Sequence, residues 1–246
     1  DSGLLHLALW RECAKKKISI QWDTAAFGIH IEKGRAAAVR SQSGLLPAGC
    51  IVLAAGIGAT GIIASSGIQL SIVPEKRLCI MGKYSTPRQS IAITEYATKE
   101  FQEIKRPTRD YESAPWVLFN AEHEALIYGG RNFAHTNHSA YRKDIYALSR
   151  RFISLLPGCS HLIAHRVFAH IYPCIIDGLP VIGEAPHVRN LYVSINHGNY
   201  KGLLAPAIGN LLTRTIAGEA PSETMNSLSL ARFPQSAPGG RKRLKD

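Results

Sequence analysis

The sequence predicts an α/β fold of two domains, the first of which is discontinuous in the chain. Helical and strand patterns alternate near both ends of the 246 residues, whereas the middle is rich in strand patterns. The run Cys50–Ala55 is continuously apolar, as expected of a strand buried on both faces of a parallel sheet. We expect the chain to leave the first domain after Gly56 and to return near Pro173. The predicted divisions are 1–56 and 171–233 for the first domain, 57–170 for the second, and 234–246 for a disordered basic tail.

The N-terminal segment predicts one helix followed by short strands. Residues 3–16 have apolar positions at helical spacing and end in Lys15–Lys17, cations that the helix dipole favours at its C-terminus. Further patterns predict strands at Ile18–Trp22 and Ala26–Glu32, a turn at Lys33-Gly34 and a returning strand at Ala36–Ser41.

The remaining elements are predicted from periodicity and from proline and glycine positions. Residues 62–110 are expected to be irregular, because Pro74 and Pro87 interrupt them. The later patterns predict a candidate strand at Ile91–Tyr96, a hairpin of Trp116–Asn120 with Ala125–Gly129, a helix over 139–155, strands at Val167–Ile171 and Leu191–Ile195, and a helix over 205–217 that Gly218 ends.

Composition excludes several protein classes. The chain is 46% hydrophobic, which suffices for one or two cores, and it contains no apolar run of roughly 18 residues that would span a membrane. Its first residues resemble no secretory signal and begin directly with helical spacing, which predicts a piece of a longer chain. Five scattered cysteines without a CxxC pair predict free thiols and a cytoplasmic location.

The formal net charge is +11, with a dense basic run at Arg241–Lys245. Nucleic-acid binding is one explanation, and a solvated basic surface is the other. No RRM, KH, zinc-finger or helix-turn-helix pattern accompanies the charge, so we predict no nucleic-acid partner. His135, His138, Glu122 and His123 fit no recognised metal-ligand spacing, and we predict no metal site.

A glycine motif, Gly56-Ile-Gly58-Ala-Thr-Gly61, directly follows the Cys50–Ala55 strand. Its sequence pattern, GxGxxG, is that of a dinucleotide-binding turn, and Glu75 is a candidate partner for a ribose hydroxyl. An NAD-binding Rossmann protein is therefore one hypothesis. Against it, Glu75 comes after Pro74, and a helix and a hairpin precede the motif, where a Rossmann unit would open with its strand.

Two later stretches are more informative. Asp177–Gly183 reads DGLPVIG, and Asn196–Gly209 combines a polar glycine turn with a helix start that has Pro206 in its first turn. Glycines in such a turn let main-chain N–H groups approach a flat or anionic ligand closely.

Together these stretches resemble the closing motif of the FAD-dependent oxidoreductases that include D-amino acid oxidase, glycine oxidase, D-amino acid dehydrogenases and sarcosine oxidase. Ile51–Gly56 and Ile127–Gly130 resemble earlier strands of the same family. The resemblance implies a partial FAD-binding domain of the glutathione-reductase-like Rossmann type and a mixed-sheet α+β substrate domain. It also implies that an amine or amino acid is oxidised at its C–N bond by hydride transfer to flavin N5.

The resemblance also implies that the family's N-terminal, nucleotide-binding half is absent from this chain. We expect a fragment, a second polypeptide that supplies the missing half, or a non-catalytic or degenerate relative. The positions that the resemblance places beside FAD are Ala55, Gly56, Gly183, His197, Gly198 and Gly202.

Three departures from the family pattern give the predicted catalytic residues. Tyr172 occupies the place where many members carry an arginine that clamps the substrate carboxylate, although it is also explained as a core aromatic residue. Asn199 stands where glycine oxidases have a substrate arginine. Lys201 replaces a turn glycine and is predicted to face the N1–C2 edge of the flavin. The alternative interpretation is that Lys201 is a solvated turn residue without a role at the flavin.

Overall fold

The structure is a computed structural model that describes residues 2–84, 91–94, 116–119, 124–132, 138–198, 201–220 and 222–234. Its helices are α1 (Ser2–Lys15), α2 (Ala59–Ser65), α3 (Arg142–Leu155), α4 (Lys201–Ile216) and α5 (Glu223–Ser227). Its strands are β1 (Ala26–Glu32), β2 (Arg35–Ser41), β3 (Gly44–Pro47), β4 (Ile51–Leu53), β5 (Ile72–Lys83), β6 (Ile91–Thr94), β7 (Trp116–Phe119), β8 (Glu124–Asn132), β9 (Ile163–Ile175), β10 (Val181–Glu184) and β11 (Leu191–Ile195). The predicted α/β class is confirmed.

The chain forms two compact units. Unit 1 contains residues 1–71 and 177–246, and unit 2 contains residues 72–176. Both boundaries fall later than the predicted ones at 56 and 170. Helix α2 stays with unit 1 because it packs against β1, where a Cβ added to Gly28 would lie 3.2 Å from Ser65 Oγ. Strand β9 continues to Ile175 as part of unit 2. The functional role of each unit stays a prediction.

Unit 1 contains two three-stranded sheets. Strands β1, β2 and β3 form an antiparallel sheet, and the second sheet has the order β10-β11-β4. Strand β11 lies in the middle and is buried along its whole length, with β10 antiparallel and β4 parallel to it. Helices α4 and α5 cover this sheet through a cluster of buried residues: Ile182, Tyr192, Ile208, Leu212 and Met225.

Three predictions in unit 1 are corrected. Ile18–Trp22 is not a strand, since the structure gives it no strand to pair with, and the Trp22 side chain is 69% exposed. The strand predicted at Cys50–Ala55 covers only Ile51–Leu53, and it is not buried on both faces: Ile51 and Leu53 are buried, whereas Val52, on the opposite face, is 44% exposed. Helix α4 begins at Lys201, so Pro206 lies inside it and removes the N–H that would bond to the Gly202 carbonyl.

Unit 2 is built on a five-stranded antiparallel sheet of order β6-β7-β8-β5-β9. Strand β5 corrects the prediction that residues 62–110 are irregular. It runs for 12 residues through Pro74, which pairs with Pro173 of β9. Helix α3 covers one face of the sheet, where Leu148 and Phe152 join a buried cluster with Leu78. The hairpin of β7 and β8 is confirmed.

None of the helices in the described ranges is long and apolar enough to cross a membrane. All five cysteines are free thiols. The described residues contain no group of three or more metal-ligating side chains. The predicted cytoplasmic location stays a prediction, and the predicted disordered tail falls almost entirely outside the described residues.

Candidate functional site

Two turns of unit 1 meet at one edge of the β10-β11-β4 sheet. Val193 pairs with Leu53 in parallel register, so β4 and β11 end on the same side. Ala55 and Gly56 follow β4 there, and the turn that contains His197 and Gly198 follows β11. Crevices beyond the carboxyl ends of parallel strands are the usual ligand sites of α/β sheets. The fold thus brings four of the predicted cofactor residues to a common edge.

The backbone at this edge is bare. Gly56 and Gly198 have φ values of +55° and +58°, a region that glycine adopts more readily than residues with a side chain. Apart from each glycine's own chain neighbours and helix backbone, no heavy atom of the described residues lies within 4 Å of the Cβ position at Gly56, Gly198 or Gly202. The main chain at these glycines is therefore open on the side where a side chain would stand, as it also is at other glycines such as Gly44 and Gly67.

The start of α4 adds an electrostatic feature. Helix α4 has 16 residues and begins at Lys201, directly after the turn. The first N–H groups of a helix have no partner inside it and favour negative charge. For Lys201 the structure describes the backbone position, and Asn199 lies outside the described residues. Their predicted roles stay predictions.

His197 is held against the sheet. Its Nε2 lies 3.0 Å from Ser194 Oγ, and the imidazole is half-buried. Burial lowers the pKa of His197 below its usual value of 6.5, so the ring is neutral at neutral pH. A neutral ring bonded to a serine suits a positioning role in this turn.

The DGLPVIG stretch is anchored by an arginine to which the sequence analysis gave no role. Arg232 donates from Nε to Asp177 Oδ2 at 2.7 Å and from Nη2 to the Leu179 carbonyl at 3.2 Å. Asn196 Nδ2 also donates to the Leu179 carbonyl, at 2.9 Å, and so joins this stretch to the turn after β11. Burial alone raises the pKa of Asp177, but hydrogen bonds from Arg232 and Leu179 outweigh it and lower the pKa.

Gly183 is placed apart from the other predicted cofactor residues. It is buried in the middle of β10 with φ +125°, paired with Val193. A Cβ there would lie 3.8 Å from Met225 Cε of α5. The backbone conformation and the packing of α5 explain this glycine, and its contact with a cofactor stays a prediction.

Tyr172 lies in unit 2 among polar side chains, outside the buried cluster that α3 covers. Its ring centroid is 4.4 Å from that of His170 and 6.4 Å from that of Tyr128. The Arg77 guanidinium carbon lies 5.5 Å from the Tyr172 ring. Sequence reasoning missed Arg77 and Tyr128, because only the pairing of β5 with β8 and β9 brings them to Tyr172.

The Gly56–Gly61 motif does not open a parallel βαβ unit. After β4 the chain forms a short 3-10 turn and then α2, which has seven residues. The next strand, β5, pairs antiparallel with β8 and β9 in the sheet of unit 2. Glu75, the candidate ribose partner, is buried in β5 and forms an ion pair with Arg77. The structure therefore lacks the unit that the NAD-binding hypothesis requires.

Comparison with known proteins gives one family. A family model described as FAD dependent oxidoreductase matches residues 1–215. The chain is 24% identical over 216 residues to a D-amino acid dehydrogenase of Vibrio vulnificus (strain YJ016), covering 88% of this chain and 48% of that protein. It is 26% identical over 216 residues to a glycine oxidase of Pseudomonas putida, covering 85% and 52% respectively.

Solved structures support the same fold. The glycine oxidase of Geobacillus kaustophilus superposes with a TM-score of 0.72 at 23% identity, over 86% of this chain and 52% of that one. The L-proline dehydrogenase of P. horikoshii superposes with a TM-score of 0.65 at 18% identity, over 85% and 54%. The chain thus spans about half the length of the curated relatives that it matches.

Proposed function

The chain belongs to the family of FAD dependent oxidoreductases, and we propose that it is the C-terminal portion of an enzyme that oxidises the C–N bond of an amine or amino acid. One observation carries this proposal: the bare glycine backbone at the carboxyl ends of β4 and β11. When bound, FAD supplies the oxidant, which accepts a hydride from the substrate α-carbon at flavin N5.

Unit 1 is proposed to hold the flavin. Gly56, Gly198 and Gly202 leave the main chain open on one side, and Ala55 directly precedes Gly56. The N-terminus of α4 favours the negative charge that a reduced flavin carries. Lys201 is proposed to add a cation at the same point.

Unit 2 is proposed to meet the substrate through the sheet face that carries Tyr172. Tyr172 is proposed to orient the substrate by a hydrogen bond from its hydroxyl group. Asn199, which belongs to unit 1, is proposed separately as a substrate residue. A small-molecule amine or amino acid is the proposed substrate class, which agrees with the printed names of the relatives.

The nucleotide-binding half of the FAD domain is proposed to come from elsewhere, either from a longer form of this chain or from a second polypeptide. The relatives are about twice as long as the matched region, which supports the need for such a half. A non-catalytic or degenerate subunit is the second candidate function, favoured by the phenol at position 172 where many members of the family carry an arginine.

Flavin titration tests the proposal. Purified chain is mixed with FAD, unbound cofactor is removed by gel filtration, and the visible flavin absorption of the protein fraction is recorded. A panel of D- and L-amino acids, glycine and carboxylate-free amines is then added anaerobically. Retained flavin that loses its visible absorption with at least one amine is the expected result.

Each other outcome has a meaning. Flavin that is retained but reduced by no member of the panel favours the non-catalytic subunit. Flavin that is not retained contradicts activity of this chain alone. The gene upstream of Asp1 is then read for an in-frame GxGxxG, and the titration is repeated on the extended polypeptide, where failure contradicts the proposal as a whole.

A further inference from the structure

The end of β11 places a serine hydroxyl beside an apolar cluster. Residues in register across a sheet share a face, and Ser194 is in register with Ile182 of β10. Ile182 belongs to the buried cluster that α4 and α5 cover. Ser194 is itself only 6% exposed. Its hydroxyl group is therefore largely shielded from water and needs a hydrogen-bond partner inside the protein.

His197 is the partner that the chain supplies. Asn196 has a φ of +62°, a left-handed conformation that turns the chain directly after β11. The Asn196 side chain donates to the Leu179 carbonyl at 2.9 Å and so anchors the turn. The turn brings His197 back toward the strand, where its Nε2 lies 3.0 Å from Ser194 Oγ.

This pair allows two positions for the ring proton. A neutral imidazole carries a hydrogen on one ring nitrogen, and its other nitrogen is an acceptor. If Nε2 carries the hydrogen, it donates to Ser194 Oγ, and the hydroxyl hydrogen then has no acceptor among the described residues. If Nδ1 carries the hydrogen, the hydroxyl donates to the bare Nε2 and is satisfied.

The form with the proton on Nδ1 is the more stable one. A buried donor without an acceptor costs more than an acceptor oxygen with an unused lone pair. The Nδ1–H form should therefore exceed the Nε2–H form by about 10- to 100-fold. Burial lowers the pKa of His197, so the ring is neutral and keeps a single proton at neutral pH. Nδ1 has no hydrogen-bond partner among the described residues, and its N–H is available to a ligand.

We propose that Ser194 is a positioning residue: its hydroxyl donates to Nε2 of His197, holds the ring proton on Nδ1 and so makes His197 a hydrogen-bond donor in the turn after β11. Nδ1 is bonded to Cγ and lies nearer to the main chain of this turn than Nε2 does. The role of this donor at the cofactor rests on the proposed function, whereas the position of the proton does not.

A donor at Nδ1 determines which ligand atoms this turn accepts. An N–H group fits an acceptor, such as a carbonyl oxygen or a ring nitrogen with negative charge, and it acts together with the N–H groups at the start of α4. A bare Nδ1 would repel the same acceptors. When bound, FAD supplies such acceptor atoms on its ring, and their negative charge increases on reduction.

Nitrogen NMR tests the position of the proton directly, in the full chain and without cofactor. Protonated and bare histidine nitrogens differ in 15N chemical shift, and long-range proton–nitrogen spectra distinguish Nδ1 from Nε2. The chain has 10 histidines, so the His197 signals are assigned by their loss in His197→Leu. At about pH 8, above the usual histidine pKa, we expect a protonated Nδ1 and a bare Nε2. A protonated Nε2 in the unmodified chain overturns the proposal.

Three serine variants test the cause. Ser194→Ala removes the donor, and the ratio of Nε2–H to Nδ1–H should rise about 10-fold or more. Ser194→Thr keeps a hydroxyl group and suits a strand, so the proton should stay on Nδ1. Ser66→Ala is the matched control, because Ser66 is 7% exposed and its hydroxyl donates to the Ile62 carbonyl in the same unit. It should leave the His197 spectrum unchanged. A proton that stays on Nδ1 in folded Ser194→Ala contradicts the role of Ser194.

A second measurement tests the donor at the cofactor. Asparagine and leucine have nearly the same shape, but the asparagine amide carries its N–H donors about as far from the main chain as Nδ1 lies in histidine. His197→Leu should therefore weaken FAD binding about 2- to 10-fold more than His197→Asn does, as measured by fluorescence titration. Equal losses in the two variants show that the donor has no role at the cofactor.

The outcomes separate this inference from the proposed function. If FAD binds but the ring proton lies on Nε2, the proposed function stands and this inference fails. If neither the chain nor the extended polypeptide binds FAD, the proposed function fails and with it the role of the donor at the cofactor. A protonated Nδ1 that depends on Ser194 still supports the arrangement of the pair in that case.

Discussion

Two glycine turns follow neighbouring parallel strands of unit 1, and they differ in what comes after them. The first glycine turn, Gly56–Gly61, has the sequence pattern of a nucleotide-binding loop but leads into α2, a helix of seven residues. The second glycine turn, which contains His197 and Gly198, has no such sequence pattern but precedes the 16 residues of α4, of which Gly202 is the second. Both leave open space beside their glycines.

Hydrogen bonds from other parts of unit 1 stabilise the region around the second glycine turn. Asn196 donates to the Leu179 carbonyl, and Arg232 donates to the same carbonyl and to Asp177. In the first turn, the hydrogen bonds described are local, such as the one from Thr60 Oγ1 to the Ile57 carbonyl. A ligand site of this kind needs a rigid frame and a helix terminus in addition to glycines. A matching sequence motif alone is therefore a weak guide to the position of the site.

The largest effect is expected from filling the space at the start of α4, next to the second turn. Gly202→Leu puts a side chain where the flavin is proposed to bind, so the leucine and the ring would compete for the same volume. Because overpacking costs roughly 1–3 kcal/mol, FAD binding should weaken by about 10- to 100-fold. Fluorescence titration with FAD measures the change.

Two matched variants accompany Gly202→Leu. Gly209→Leu makes the same exchange in the same helix, also into open space, and should leave FAD binding unchanged. Gly58→Leu makes it in the first turn, where φ is −64°, and should change FAD binding less than Gly202→Leu does. A loss of FAD binding that is larger for Gly58→Leu than for Gly202→Leu would reverse the comparison between the turns.

A smaller effect, on the free energy of unfolding, is expected from removing the hydrogen bonds of Arg232. Arg232→Ala deletes bonds to Asp177 and to the Leu179 carbonyl and should lower the free energy of unfolding by about 1–3 kcal/mol. Arg214→Ala breaks an ion pair to Glu219 in which both side chains are more than half exposed, and should cost less than about 1 kcal/mol. Urea denaturation compares the two.

The pH dependence of the Arg232 effect has a defined sign. The pKa of Asp177 is lowered in the folded state, so its contribution is complete above the usual value of 3.8 and is lost as the pH falls through the folded value. The difference between Arg232→Ala and the unmodified chain should therefore shrink in acid. A difference that grows in acid contradicts the anchoring role of Asp177.

The smallest effect concerns His197. Because burial lowers its pKa, the folded chain binds fewer protons than the unfolded chain just below the usual value of 6.5. The free energy of unfolding should therefore decrease between about pH 7.5 and about pH 5, and His197→Gln should flatten that decrease. Urea denaturation across this pH range measures the decrease, and a decrease of the same size in His197→Gln contradicts the role given to the burial of His197.

Local patterns allowed much of the fold to be predicted. The β1–β2 hairpin and β11 were found because alternation, a Lys33-Gly34 turn and an apolar run are visible within a few residues. Strand β5 was missed, since Pro74 indicates a break and the strand is stabilised by β8 and β9, which lie far along the chain. Ile18–Trp22 has the apolar residues of a strand but no partner strand.

The residues of the candidate site divide in the same way, into those that local sequence indicates and those that only the tertiary fold brings together. The positive φ of Gly198 could be predicted from sequence because the backbone conformation of a turn is a local property, whereas its contact with a cofactor stays a prediction. Arg77 and Arg232 were not, because each acts on a residue that only the tertiary fold brings near: Tyr172 across β5 and β9, and Asp177 at the start of the DGLPVIG stretch.

The position of β4 has a practical consequence. Among the described strands it pairs only with β11, so no described strand takes up the main-chain donors and acceptors on its other side. Open strand edges attract extended segments of other molecules. In concentrated solution, copies of this chain should therefore associate through the open edge of β4. A short peptide that pairs with this edge should reduce the association.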